Sequence, residues 1–142
     1  MSAEADSISS VALWGLMAGG AVLFGLVGWF VVVIAERGAA GNLQRHGWMG
    51  IRTKASQSSD EAWLAAHKAG RARTVLGGWS MAASGMAAAC LGLLVGFGDS
   101  ERAILAWAIS LSILPLIAAV PVASGCRQGD QAAKEVTGSG VT

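Results

Sequence analysis

Charge is what this chain has least of. Only 13% of its 142 residues are Asp, Glu, Lys or Arg, where a soluble globular domain carries about a quarter. With 54% hydrophobic residues and a mean hydropathy of +0.55, the deficit points to lipid as the solvent. Net charge is +1, which excludes a global field that would draw nucleic acid. Two cysteines, Cys90 and Cys126, are too few and too apolar in setting for a disulfide framework and read as free thiols. Paired CxxC and HxxxH patterns are absent, so no zinc site is expected, and nothing in the sequence calls for a cofactor. Strict apolar–polar alternation is missing, which excludes a membrane β-barrel. Internal repeats are missing too.

What the chain does have is three long uncharged runs. The first covers residues 11–35, the second 74–97 and the third 103–125. Each exceeds the roughly 20 residues that an α-helix needs to cross a bilayer core. The first is preceded by Glu4 and Asp6 and no Lys or Arg, unlike the basic start of a signal peptide, so it is read as a retained helix. Pro115 and Pro121 fall in the third run, and membrane helices tolerate such prolines. Only residues 98–102 separate the last two runs, which predicts a tight helical hairpin. The fold expected is an all-α membrane protein, one domain over 1–142 with three transmembrane helices.

Orientation follows from the cations. Arg37, Arg45, Arg52, Lys54, Lys68, Arg71 and Arg73 lie in the loop 36–73, Arg127 and Lys134 lie in the tail, and only Arg102 lies on the other side. The positive-inside rule then places the loop and C-terminus in the cytoplasm and the N-terminus outside. The tail 127–142, polar and Gly-rich at its end, is expected to be disordered.

No Asp, Glu, Lys, Arg or His lies within any run. Proton relays and ion pathways usually contain one, so a transporter or channel working alone is disfavoured. Small residues recur instead at four-residue spacing: Ser80, Ser84, Ala88, Gly92 and Gly96 in the second run, Gly15 and Gly19 in the first, with Gly25 and Gly28 beyond. Residues four apart share a helix face, and small ones let membrane helices approach closely. These stripes are expected to pack the three helices together, the alternative being a dimer or a partner-subunit interface. Trp14, Trp29, Trp79 and Trp107 suit interfacial anchoring.

The loop holds the chemistry. Ser58 followed by Glu61 reads as a capping box, from which a helix is expected to run without interruption into the second span. Trp63 and His67 then share a face. Arg52 has the bidentate geometry for a carboxylate or phosphate. It is expected to pair with Asp60 or Glu61, or to hold an anionic lipid headgroup or an acidic partner. Lys68, Arg71 and Arg73 fit topology setting and attraction to anionic lipid. Trp48 and Met49 fit a loop that dips into the interface.

The string Gly50-Ile51-Arg52-Thr53, a Ser/Thr-rich spacer, Ser59-Asp60-Glu61-Ala62-Trp63 and then His67 resembles the signature of the SdpI-type membrane protein family. The order of parts also matches: a span, the signature loop, then a hairpin of spans. Two positions depart from the common pattern, His46 where Asn is frequent and Lys54 where Pro is frequent. The resemblance implies a bacterial inner-membrane protein that binds rather than catalyses. Its role would be immunity against a membrane-active toxin or signalling with a membrane partner. The binding residues it implies are Gly50, Ile51, Arg52, Thr53, Asp60, Glu61, Trp63 and His67. The other reading is a structural accessory subunit of a larger membrane complex. An enzyme or lipid transporter built on Arg52, His67 and the carboxylates is a third, with neither intramembrane charge nor a pocket signature to support it.

Overall fold

In the computed structural model, which describes residues 2–96 and 100–139, the chain forms three helices and one long loop. The helices are α1 (Ser2–Ala39), α2 (Asp60–Gly96) and α3 (Ser100–Ser139). All three are long and apolar enough to cross a membrane, so the chain is a multi-pass membrane protein. Large apolar side chains such as Leu23, Leu26, Leu94 and Leu116 point outward, as a lipid-facing surface requires. The tight hairpin expected between the last two spans falls on residues 97–99, which lie outside the described residues.

Each helix is longer than its span. At about 1.5 Å per residue, α2 with its 37 residues reaches about 55 Å, while a hydrocarbon core is about 30 Å thick. The excess lies at the loop end, where Lys68, Arg71 and Arg73 precede the apolar part of α2. As expected, α2 starts in the loop and runs without a break into the second span.

The tail is a correction. Residues 127–139 are not disordered: α3 continues to Ser139 alongside the first turns of α2. The reason is a run of small residues that the polar composition conceals. Gly125 lies against the Gly70 backbone and Gly129 against the Ala66 carbonyl. Ala133 is buried with Ala62 and Ala66, and the Ser58 and Thr137 hydroxyls meet at 3.1 Å. Steps of four residues thus carry a helix–helix seam out of the membrane. An Asp130–Lys134 pair at 2.6 Å supports the exposed face. Residues 140–142 lie outside the described residues.

Packing centres on α2, against which α1 and α3 each lie while scarcely touching one another. Close approach is achieved through glycines. A side chain at Gly28 would overlap the Gly78 carbonyl and Ala82, one at Gly85 would strike Phe24, and one at Gly77 would strike Val122. Of the small stripe expected on α2, Ser84, Ala88 and Gly92 are buried. Gly92 lies against Met17 of α1. Ser80 is half-buried, and the surroundings of Gly96 lie outside the described residues. Gly15 and Gly19, expected to pack α1 within the chain, have open space around them, as does Gly25. Only Gly28 of that group faces α2, because α1 meets α2 along the stripe that carries Met17, Ala21, Phe24, Gly28 and Val32.

Candidate functional site

The loop between α1 and α2 is built from hydrogen bonds. It leaves α1 through a left-handed Gly41 (φ 77°). The Gly41 N–H bonds the Gly38 carbonyl at 3.1 Å and the Asn42 N–H bonds the Arg37 carbonyl at 2.9 Å. This is a Schellman close, in which glycine takes the conformation that a Cβ would penalise. The loop re-enters helix at Ser59, whose Oγ accepts from the Ala62 N–H at 3.0 Å. The cap is therefore Ser59 and not Ser58. Ser58 belongs to the preceding turn and donates to the Ala55 carbonyl at 2.7 Å.

Between these ends, the signature residues come together around His67. The Ile51 N–H donates to His67 Nε2 at 3.0 Å, and His67 Nδ1 lies 2.8 Å from the Trp63 carbonyl. An acceptor at Nε2 requires that nitrogen to be unprotonated, so Nδ1 carries the hydrogen and donates to Trp63. His67 is buried. Burial pushes its pKa below the usual value of 6.5, against a smaller opposing effect of the bond to Trp63. The neutral ring is the form that this geometry uses.

Trp63 stacks on the imidazole at a tilt, with ring centroids 4.3 Å apart, and its indole N–H donates to the Leu43 carbonyl at 3.0 Å. Gly50 passes over both rings with φ 107°, and a Cβ there would overlap His67 Nε2. Gly38 of α1 is held equally close to the other side of the imidazole. The histidine is thus clasped between α1, the loop and its own helix.

Thr53 and Ser56 complete the loop. The Thr53 N–H donates to Ser56 Oγ at 2.9 Å and the Ser56 N–H to Thr53 Oγ1 at 3.1 Å. Ser56 Oγ in turn donates to the Ile51 carbonyl at 2.7 Å, so both backbone groups of Ile51 are bonded. On the α3 side of the loop, the Asp130 carboxyl is held below the usual carboxylate range by Lys134 first and Thr53 second. The sequence pointed to Gly50, Ile51, Thr53, Trp63 and His67. It did not point to Ser56, Gly38 or Asp130, whose contacts are made by chain closure and carry no local motif.

Three further expectations divide. Arg52 does not pair with Asp60 or Glu61. It is exposed, and its Nη1 donates to the Gly47 carbonyl at 2.6 Å. Arg45 holds Asp60 instead, with Nε 3.1 Å from Oδ1, because α2 begins beside the turn that carries Arg45. Glu61 is exposed, as is Trp48 at 75%. The carboxylates and Arg52 therefore lie outside the histidine cluster.

Beneath the loop, the three helices leave a cavity of about 190 Å³. Its walls are Val31, Ile34 and Ala35 of α1 and Val122 of α3, and Gly50 and Ile51 form its roof. His67, Thr74 and Cys126 complete the lining, with Arg71 also at the site. Arg71 donates from Nε and Nη2 to the two oxygens of Glu36, both at 2.8 Å, and this pairing raises its pKa further. Among the described residues, no group of three or more His, Cys, Asp and Glu side chains is placed to hold a metal ion. Buried backbone bonds, a neutral histidine and an apolar chamber make an arrangement suited to binding.

The family described as the SdpI/YfhL protein family matches residues 42–124, a stretch that includes the whole signature loop, α2 and the first half of α3. Comparison with curated proteins and with solved structures gives no match.

Proposed function

The chain belongs to the SdpI/YfhL protein family, and on that premise we propose that it is an immunity- or signalling-type binding protein of a bacterial inner membrane. It would act on a membrane-active toxin or with a membrane partner, by binding and without catalysis. The observation that carries this reading is the use to which the signature is put. Gly50, Ile51, Trp63 and His67 close a loop over an apolar chamber and leave Arg52 and Trp48 exposed on its outer side. Such a surface suits recognition. The cation asymmetry between the two sides of the bundle supports a cytoplasmic loop and an outer N-terminus.

The test is a pull-down of tagged protein from its native membrane in mild detergent, paired with toxin challenge of cells carrying wild-type or Arg52→Ala protein. A partner retained by wild type and lost in the variant, or loss of protection in the variant, is the expected result. Wild type emerging alone from cells that stay fully protected with Arg52→Ala would remove the loop from the mechanism. Single-cysteine labelling at position 57 from outside intact cells would overturn the orientation.

A second reading, an accessory subunit of a larger membrane complex, has its own observation. Gly15, Gly19 and Gly25 on α1 are met by nothing among the described residues, and small residues are what membrane helices use to meet a neighbour. Co-purification that survives Arg52→Ala but is lost in Gly19→Leu would favour it.

A further inference from the structure

We propose that the cavity under the signature loop binds the hydrocarbon end of an anionic amphiphile, with the acidic group on Arg71. The chemistry that it would recognise is a carboxylate or phosphate carried on an apolar chain. Depth is the first reason. Val31, Ile34 and Val122 belong to the apolar runs, whereas Arg71 and its partner Glu36 belong to the charged ends of the helices. The chamber therefore straddles the level at which an amphiphile changes from chain to headgroup.

The lining is the second reason. Both nitrogens of His67 are committed, one to Ile51 and one to Trp63, so the histidine offers the chamber no free polar atom. An apolar cavity of this kind takes apolar matter rather than water. Its size sets the ligand. Sites for drug-sized molecules measure roughly 300–1,000 Å³, so about 190 Å³ admits one arm of a chain and not a whole diacyl body.

The third reason is the cation. Glu36 takes the Nε and Nη2 edge of Arg71, and the Nη1 edge has no protein acceptor among the described residues. A guanidinium presents five N–H donors in a planar fork, so a second anion can be seated without expelling Glu36. Arg52, the arginine that the sequence brings forward, donates to the Gly47 carbonyl and does not line the chamber.

Cys126 lines the cavity and supplies the reporter. The full-length Cys90→Ser protein is placed in phosphatidylcholine nanodiscs, and alkylation of Cys126 by N-ethylmaleimide is timed with laurate or with dodecanol. Laurate at ten times its Kd should slow labelling about tenfold by mass action, and dodecanol at the same concentration should not. Arg71→Gln and Ala35→Leu should each abolish the laurate effect, the first by removing the cation and the second by filling the space. Glu36→Gln should keep it. Nanodiscs that contain phosphatidylglycerol separate the two sources of the acid. Slow labelling there, without an effect of laurate, assigns the site to a phospholipid, and the reverse assigns it to a free acid.

Neither anion slowing the reaction, dodecanol slowing it as much as laurate, or protection surviving Arg71→Gln would overturn the proposal. Native mass spectrometry of wild type with laurate against dodecanol decides the matter if a variant does not fold or the thiol reacts too slowly. Occupancy and immunity are separable. Toxin protection lost while laurate still shields Cys126 counts against the immunity role alone, and unshielded Cys126 in fully protected cells counts against the lipid site alone.

Discussion

The two ends of this bundle solve the same packing problem with different chemistry. In the apolar half, hydroxyls turn back on their own helix. Ser80 donates to the Leu76 carbonyl, Ser84 to Met81, Ser110 to Ala106 and Ser112 to Ala108, all at 2.7–2.8 Å. Helices there meet through absent side chains, as at Gly28, Gly77 and Gly85. At the loop end, polar groups reach across elements instead: Ile51 to His67, Trp63 to Leu43, Ser58 to Thr137 and Arg71 to Glu36. In lipid an unsatisfied polar group costs several kcal/mol, so a hydroxyl is safest bonded to its own turn, and shape alone sets the partners. Where water competes, long-range bonds can form and break, and specificity is written in donors and acceptors.

Substitutions should break this contrast in a graded way. The largest effect is expected at Gly50→Ala. Its positive φ is strained for alanine and the new Cβ overlaps His67 Nε2. Strain and overpacking of about 1–3 kcal/mol each should lower Tm in detergent strongly and raise the solvent accessibility of Trp63, read by its fluorescence. In the apolar half, Gly28→Val should cost about 1–3 kcal/mol through the Gly78 carbonyl and Ala82, and cross-linking should show α1 displaced from α2 while the loop keeps its form.

His67→Ala leaves the Ile51 N–H buried without an acceptor, a loss of about 1–3 kcal/mol. Amide exchange at Ile51 should accelerate, and His67→Gln should recover part of the protection.

Acid should act at the loop end and spare the apolar half. Folding depresses the pKa of His67, so the folded chain binds fewer protons than the unfolded chain between the two values. The stability from neutral His67 is then complete above the unfolded value, about 6.5, and is lost as pH falls through the lower folded value. Exchange at Ile51 should rise over that window in wild type and stay flat in His67→Gln. The smallest effect belongs to Ser112→Ala. Its hydroxyl bonds only the Ala108 carbonyl on an exposed face, so stability should move by less than about 0.5 kcal/mol. A large loss there would mean that the apolar half does use hydroxyls between helices.

Much of the architecture was legible in advance because lipid imposes a harsh rule. A helix must be long, uncharged and internally bonded to cross, and residues 11–35, 74–97 and 103–125 stand out on that ground alone. The shared face of Trp63 and His67 was legible too, since spacing of four on a helix fixes it. In the tail, polar composition hides a helical periodicity. Gly125, Gly129 and Ala133 form a seam at steps of four, and polar residues on the other faces masked it. Arg52 misled because proximity in sequence suggested a partner that the loop's path gives to Arg45.

By itself, then, the sequence determined that this chain lives in a bilayer, how many times it can cross, and that residues 50–67 hold its distinctive chemistry. These follow from composition and local spacing, which act over a turn or two of helix. Tertiary structure alone decided that a neutral His67 clasps the Ile51 amide between Gly50 and Gly38, that Ser58 of the loop meets Thr137 of α3, and that Arg71 rather than Arg52 stands at an apolar chamber. Each of those contacts joins residues from separate elements, brought together only when α1, α2 and α3 pack. Whether an amide meets an imidazole depends on ångström-scale placement, and placement is set by the glycines that let backbones close, Gly50 within the signature and Gly38 at a position no local motif marks.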